Sequence, residues 1–205
     1  MCTVSEAVND TVILPSYFTK RWGTGMLNTV RIWEAARATS AATSFFDPIE
    51  IAGERFVDGA TDANNPVNEL WIEAENLFGE GDQEAWKLED KLHCLISIGT
   101  GKPSLKPFGQ SLVEVGQSLV KNATETEKVA ERFERQHNKL FKNSRAFRFN
   151  VSQGLEKIGL EKTDQLGKIK AATRRCPCSY GILCRNSKAT RTCVYHSLIT
   201  YKAKF

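Results

Sequence analysis

The amino-acid sequence predicts an α/β fold in which helices flank a central, mainly parallel sheet. Three observations support this prediction: residues 29–42 are rich in alanine at helical spacing, residues 49–57 have the pattern of a β-hairpin, and residues 93–98 form a nearly continuous apolar run. Runs of that kind are typical of strands that are covered on both faces, as in a parallel sheet. Helices and strands in this arrangement are expected to stack as layers around one core.

The first half of the chain begins with an expected irregular segment over residues 1–25, which contains the breakers Pro15, Gly23 and Gly25. A helix should follow over 29–42, with a face of small side chains that allows close packing on a sheet. The positions at helical spacing are Ile32, Ala35, Ala36 and Thr39.

The hairpin is predicted to join strands 49–51 and 54–57 through a turn at Ala52-Gly53, so that Asp58 lies where the second strand ends. The next helix should begin at Asn65-Pro66, with Asn65 as N-cap and Pro66 in the first helical position. Its predicted apolar face comprises Val67, Leu70, Trp71, Ala74 and Leu77.

The second half of the chain is expected to continue with the strand 93–98, which Gly99-Thr100-Gly101 ends. Residues 108–142 are mostly polar with helical periodicity and should form one or two amphipathic helices. The apolar residues Phe147, Phe149 and Val151 alternate with polar ones, a pattern that predicts a strand with one face in water.

A last helix is predicted over 163–173, with Leu166, Ile169 and Ala172 as its buried stripe. After Arg175 the helical period disappears, and four of the six cysteines crowd the remaining residues. We therefore expect one domain over residues 1–175 and a cysteine-rich, irregular tail over 176–205.

Composition and charge narrow the class of protein. The 205 residues are 41% hydrophobic and 25% charged, which suits a globular protein with a sizeable core. The 28 basic and 24 acidic residues are interspersed, so the net charge of +4 does not form a nucleic-acid-binding arm. No apolar stretch approaches the roughly 18 residues of a membrane span, and residues 1–10 lack a signal-peptide pattern. We expect an intracellular protein, either cytoplasmic or peripheral to a membrane.

Three ordered segments resemble the patatin-like phospholipase family, and the resemblance covers roughly residues 25–175. The first is the helix segment Trp33-Glu34-Ala35-Ala36-Arg37-Ala38-Thr39-Ser40-Ala41-Ala42. The second is Phe56-Val57-Asp58-Gly59-Ala60 with Asn64-Asn65-Pro66, and the third is Ser97-Ile98-Gly99-Thr100-Gly101. Each segment is a weak signal alone, but their order is specific. The chain is most similar to fungal members, and it covers only the carboxy-terminal part of the family's domain.

The resemblance implies a role for Asp58. In the family's Asp-Gly-Gly or Asp-Gly-Ala motif, the aspartate is one half of a serine and aspartate dyad that hydrolyses acyl esters of lipids. A carboxylate can accept a serine proton without a histidine if it lies within hydrogen-bond reach and is partly desolvated. Gly59 would allow the backbone to turn sharply and approach a neighbouring loop closely, and Ala60 would leave space around the carboxylate. The implied substrate is a lipid or phospholipid ester, and we expect no cofactor.

The departures from the family pattern concern the nucleophile. The family's serine lies in a Gly-x-Ser-x-Gly elbow before the aspartate. Here Ser111 and Ser118 follow the first glycine of such a pattern, but Val113 and Val120 occupy the place of the second, and both serines come after Asp58. The glycine-rich loop that supplies oxyanion-hole N–H groups is also missing from the sequence. We therefore expect no acyl hydrolysis by this chain alone.

Two alternatives stay open. The chain could be a non-catalytic remnant that binds a partner through the sheet edge left by missing strands. It could also carry a zinc-binding tail on a degenerate hydrolase, although the spacing lacks paired Cys-x-x-Cys knuckles. The tail's candidate ligands are Cys176, Cys178, Cys184, Cys193 and His196.

The other chemically notable side chains are predicted to be structural. We expect His93 to be packed in a strand and His137 to lie on a solvated helix face. Trp33, Trp71 and Trp86 are expected to be core or half-buried anchors rather than a ligand cage.

Overall fold

The computed structural model describes residues 1–18, 28–43, 45–79, 86–101, 113–155, 158 and 162–174, with 113–124 described by their backbone alone. The chain divides into two compact units, Met1–Gln83 and Glu84–Phe205. Within the described ranges, no helix is both long and apolar enough to cross a membrane. The predicted tail over 176–205 lies outside the described residues, so the proposed division into a domain and a tail stays a prediction.

The first unit contains a four-stranded sheet with the strand order β2-β1-β4-β3. The strands are β1 (Cys2–Ser5), β2 (Asp10–Ile13), β3 (Ile49–Ile51) and β4 (Glu54–Asp58). Every neighbouring pair in this sheet is antiparallel. The predicted mainly parallel arrangement therefore does not hold for this sheet, in which β1 lies between two partners that run in the opposite direction.

The hairpin formed by β1 and β2 was expected to be irregular, and that prediction is wrong. Its turn is closed by Asn9 in the left-handed region, with φ of 52°. The polar side chains of Thr3 and Ser5 are fully buried in β1. They are tolerated because Thr3 Oγ1 donates to the carbonyl oxygen of Val57 at 2.7 Å and Ser5 Oγ donates to Glu54 Oε1 at 2.5 Å.

Helix α1 (Ile32–Thr39) packs on this sheet through small side chains. Ala38 is fully buried, and the half-buried Ala35 packs beside it. Of the predicted face, Ala35 and Thr39 are half-buried but Ile32 and Ala36 are exposed, and the most deeply buried position, Ala38, was not predicted. The core cluster against which α1 packs comprises Val12, Leu14, Ala38, Ile51 and Phe56.

The hairpin between β3 and β4 is confirmed in full. Ala52 and Gly53 both have positive φ, 52° and 81°, as a two-residue hairpin turn of the primed type requires. The following helix α2 (Val67–Phe78) begins one residue later than predicted, with Pro66 rather than Asn65 as N-cap. Val67 and Trp71 of its apolar face are buried, whereas Leu70 is exposed.

The second unit is built around two parallel strands, β5 (Leu95–Ile98) and β6 (Ala146–Phe149). Helix α3 (Leu88–Lys91) precedes β5, and α4 (Val113–Gln136) with α5 (Asn138–Lys142) joins β5 to β6. Parallel strands need such a crossover, because a short hairpin cannot reverse the chain twice. The predicted parallel arrangement is therefore met by this pair.

The core of the second unit is centred on Phe133 and Leu140, which are almost completely buried. Ile98 is 78% exposed, so β5 is not covered on both faces as predicted. The last helix, α6 (Leu166–Arg174), follows a short 3-10 turn and agrees with the predicted element. Its predicted stripe is not buried, since Leu166 is exposed and Ile169 and Ala172 are only half-buried.

Candidate active site

Asp58 is the last residue of β4, as the sequence predicted. Its position in the sheet is fixed by the antiparallel register that pairs it with Thr3 of β1. Its backbone N–H donates to the carbonyl oxygen of Ala41, just beyond α1, at 3.1 Å. The backbone of Asp58 is therefore held between the central strand and the turn that follows the helix.

Asp58 is a half-buried residue, and its carboxylate accepts a hydrogen bond through one oxygen. Its Oδ1 accepts a hydrogen bond from the backbone N–H of Ala60 at 2.7 Å, so that Asp58 caps the 3-10 turn Gly59–Thr61. Among the described residues, no other group donates to this carboxylate. One oxygen is thus oriented by the backbone, and the other can accept a proton or a further hydrogen bond.

Gly59 is buried against the main chain of β1. A Cβ placed on it would lie 2.3 Å from the carbonyl oxygen and 2.8 Å from the carbonyl carbon of Cys2. Its φ does not lie in the left-handed region. Glycine is therefore required here because two backbones approach closely, and the neighbour is a strand rather than the loop that the sequence suggested.

Hydroxyl groups around the strand end serve to attach α1 to the sheet. Thr39 Oγ1 donates to the carbonyl oxygen of Cys2 at 2.5 Å, and Thr3 Oγ1 approaches the carbonyl oxygen of Ala38 at 3.3 Å. None of the serine hydroxyls in the described part of the chain hydrogen-bonds to Asp58; Ser5 donates to a glutamate and Ser40 to a helix carbonyl. Within these ranges the structure brings no nucleophile to Asp58.

Cys2, the first residue of β1, is half-buried and carries a free thiol. Burial raises the pKa of the Cys2 thiol, and the carboxylates of Glu69 and Glu73 raise it further against the opposing effect of the amino terminus. A raised pKa keeps the thiol protonated and therefore a poor nucleophile near neutral pH. Cys2 consequently does not substitute for the missing serine.

The Gly99-Thr100-Gly101 segment lies at the carboxyl end of β5 in the second unit. A Cβ on Gly99 would lie 2.6 Å from Cγ of Asn150, and the N–H of Gly101 donates to Asn150 Oδ1 at 2.7 Å. Asn150 Nδ2 in turn donates to Glu127 Oε1 at 2.7 Å. The side chain of Asn150 therefore fits against one glycine and holds the other.

The carboxylate of Glu127 also accepts a hydrogen bond from Arg148, a residue for which the sequence predicted no role. Arg148 Nη2 lies 2.8 Å from Glu127 Oε1, and Arg148 Nη1 donates to Ser97 Oγ at 2.8 Å. We call this set the Glu127 network; it comprises Ser97, Gly101, Glu127, Arg148 and Asn150. The alternation of Arg148 and Asn150 with phenylalanines was the available signal, because it placed both polar side chains on one face of a strand.

Two histidines differ from expectation. His93 is exposed and precedes β5, so it is not a packed core residue. His137 is half-buried rather than solvated, with Nδ1 2.9 Å from Glu89 Oε1 and its ring centroid 4.4 Å from that of Phe133. The partner Glu89 is 48 residues away along the chain, which is why the local pattern around His137 did not reveal it.

Two of the three tryptophans lie as predicted. Trp71 is buried and Trp86 half-buried as predicted, but Trp33 is 58% exposed.

In the described ranges, no group of three or more His, Cys, Asp or Glu side chains is arranged to hold a metal. The candidate zinc ligands of the tail lie outside these ranges, so that hypothesis stays open.

Together, these features define an α/β protein with a glycine-packed aspartate at a strand end. The family model for patatin-like phospholipases matches residues 10–71, which contain Asp58-Gly59-Ala60. The chain is also 33% identical over 103 residues to Phospholipase A I of Arabidopsis thaliana. The matched region is 49% of this chain and 7% of that relative. These two matches support membership of the patatin-like phospholipase family.

Proposed function

We propose that the chain is the carboxy-terminal part of a lipid acyl hydrolase domain of the patatin-like, fungal type. Its substrates would be acyl esters of glycerophospholipids or neutral lipids. The observation that carries this proposal is the position of Asp58, a half-buried residue at a strand end with one carboxylate oxygen held by the N–H of Ala60 and the other without a donor among the described residues. The family-model match over this segment supports it.

In the proposed reaction, Asp58 acts as a general base toward a serine on another stretch of polypeptide. The serine oxygen attacks the ester carbonyl as its proton passes to Asp58, and the alcohol leaves with that proton. Water then attacks the acyl-serine and gives its proton to Asp58, and Asp58 passes that proton to the serine oxygen as the bond to the acyl group breaks and the fatty acid is released. Backbone N–H groups must stabilise the oxyanion in both steps, and these would come from the same additional stretch.

The chain alone should therefore lack esterase activity that depends on Asp58. The test uses the purified protein with a short-chain p-nitrophenyl ester, and then a chimera in which a segment with a Gly-x-Ser-x-Gly elbow and a glycine-rich loop precedes this sequence. We expect turnover only in the chimera. Replacing Asp58 by asparagine should lower its kcat by about a thousandfold, since general-base catalysis contributes roughly 10²–10⁴ in rate.

Asp62 provides the matched control, because it is exposed and accepts a hydrogen bond from Thr11 at the other end of the same 3-10 turn. Asp62→Asn should leave kcat within about twofold, because this residue is outside the proposed dyad. Esterase turnover by the chain alone that disappears in Asp58→Asn would contradict the prediction of inactivity. Full activity of the chimera with Asp58→Asn would exclude the proposed role of Asp58.

A further inference from the structure

An exposed apolar surface lies on α1 and the turn that follows it. Ile32 is 86% exposed, Trp33 58% and Phe46 57%. Ala36 is exposed between them on the same helix. We call this set the α1 surface; it comprises Ile32, Trp33, Ala36, Arg37 and Phe46. Large apolar side chains that remain in water at neighbouring positions commonly mark a site of interaction.

The α1 surface is contiguous and partly rigid. Trp33 and Arg37 are one helical turn apart, so they lie on the same face of α1. The guanidinium carbon of Arg37 lies 5.0 Å from the centre of the Phe46 ring, and Arg37 Nη2 donates to the carbonyl oxygen of Asp47 at 2.7 Å. The cation–π contact thus fixes Phe46 beside the helix instead of leaving it as a loose loop side chain.

This surface is directly connected to the strand end that carries Asp58. The N–H of Phe46 donates to the carbonyl oxygen of Ala42 at 2.9 Å, and the N–H of Asp58 donates to that of Ala41 at 3.1 Å. Two consecutive residues, Ala41 and Ala42, therefore hold the backbones of Asp58 and Phe46.

The side chains of the surface fit a phospholipid interface. Trp is favoured where an apolar interior meets hydrated headgroups, and Trp and Phe are common on the apolar faces of helices that lie in this region. Aromatic faces also attract quaternary ammonium groups such as choline. The nearby charges are balanced, because the basic Arg31 and Arg37 are accompanied by the acidic Glu34 and Asp47. A balanced set gives no strong attraction to an anionic membrane and matches a zwitterionic headgroup better.

We propose that the α1 surface docks on zwitterionic phospholipid, with Trp33 and Phe46 entering the headgroup region. This inference deepens the proposed function and rests on it for the nature of the occupant, since a lipid hydrolase draws its substrate from an aggregated surface.

The test is flotation of the full chain with phosphatidylcholine vesicles. We expect the wild-type protein to float with the vesicles, and its bound fraction to change less than about twofold between roughly 0.1 and 0.5 M salt. The variant with Trp33→Ala and Phe46→Ala should bind about tenfold or more weakly, because two apolar side chains no longer leave water. The matched control combines Ile98→Ala and Leu166→Ala, which remove two exposed apolar side chains from the second unit, and it should bind like the wild type.

Failure of the wild-type chain to float would overturn the proposal, as would equal losses in the two double variants. If the chain is a dimer that Trp33→Ala with Phe46→Ala converts to monomer without any vesicle binding, a second copy covers the surface and the proposal is wrong. Asp58→Asn separates the two ideas, because it should float normally. Vesicle binding without hydrolysis in the chimera would refute the proposed function alone, and hydrolysis without vesicle binding would refute the docking surface alone.

Discussion

Two strand ends in this chain are followed by a glycine, but the glycines are required for different reasons. A Cβ added to Gly59 after β4 would overlap the backbone of Cys2, whereas one added to Gly99 after β5 would overlap the side chain of Asn150. The first neighbour cannot rotate away, because it belongs to the central strand of the sheet. The second can move if its hydrogen bonds break. The comparison shows that a buried glycine must be interpreted through the atom it faces.

The two strand ends also differ in the hydrogen bonds that their carboxylates accept. Asp58 keeps one carboxylate oxygen without a donor among the described residues, as the proposed role of proton acceptor requires. In the Glu127 network, one carboxylate oxygen of Glu127 accepts hydrogen bonds from both Arg148 and Asn150. Glu127 is thus tied to Arg148 of β6 and to Asn150 directly after that strand. We therefore assign the candidate site to the first strand end and a structural role to the second.

The largest expected effect is that of Gly59→Ala. The added Cβ would overlap the carbonyl group of Cys2, and relief would require β1 to shift in the sheet. We expect a loss of about 3 kcal/mol or more in the free energy of unfolding, because overpacking against backbone cannot be relieved by a rotamer change. Urea denaturation followed by circular dichroism measures this loss. A loss below about 1 kcal/mol would mean that the close approach is not rigid.

The next effect is that of Glu127→Ala, which removes the carboxylate oxygen that accepts hydrogen bonds from both Arg148 and Asn150. The side chains of Glu127 and Arg148 are 20% and 16% exposed, so the partners would remain largely desolvated. Removing one partner of a fully buried pair costs roughly 3–5 kcal/mol, and solvent screening reduces our expectation to about 2 kcal/mol. Glu127→Gln keeps an acceptor oxygen and should lose less in the same urea denaturation. Equal losses for both variants would show that the charge is irrelevant.

Gly99→Ala should be milder than Gly59→Ala, because Asn150 can yield. We expect a loss of about 1–2 kcal/mol from overpacking and from weakened hydrogen bonds of Asn150. The double variant with Asn150→Ala should lose less than the sum of the two single variants, because removing the amide also removes the overlap. Thermal unfolding of the four proteins completes this cycle. Strict additivity would show that Gly99 and Asn150 do not constrain each other.

Gly167→Ala should stabilise its helix, in contrast to the expected losses from Gly59→Ala and Gly99→Ala. Gly167 lies within α6, and a Cβ there would meet nothing within 4 Å. Alanine is a better helix former than glycine, so we expect α6 to gain up to about 1 kcal/mol. Amide hydrogen exchange of α6 measures this local gain. Destabilisation of α6 instead would mean that the helix contacts something at this position.

The smallest expected effect is on the pH dependence of stability at Cys2. Because the pKa of the folded thiol is raised, mainly by burial, the folded protein retains a proton that the unfolded chain releases as the pH passes the ordinary thiol range. Stability is therefore fully present below the ordinary thiol pKa and falls as the pH rises through the raised one. Cys2→Ser should flatten this decline in urea denaturation at alkaline pH. An unchanged decline in the variant would assign it to other groups.

The parts of the fold that local sequence determines were predicted correctly. The turn at Ala52-Gly53 requires two positive φ angles, and the sequence places a glycine there. The end of β4 at Asp58 follows from that hairpin, and the start of α2 was predicted within one residue. The role of Asp58 was inferred differently, from the resemblance of Asp58-Gly59-Ala60 to a family motif, and it stays a proposal.

The parts that were missed depend on distant partners. β1 has four residues, two of them polar, and becomes a central strand only because β4 supplies acceptors for Thr3 and Ser5. Asn9 in the turn was the local signal that could have indicated the hairpin, since asparagine tolerates a positive φ. The contact of His137 with Glu89 joins elements that no short window contains.

The pairing of β1 with β4 also affects how the first unit folds. Val4 and Val57 are opposite each other in the register, so the central strand obtains its second neighbour only after a long loop has closed. Loop closure of this kind raises the contact order and slows the search for the native state. During synthesis on the ribosome, the first strand must therefore wait, paired on one side only, until Asp58 has emerged.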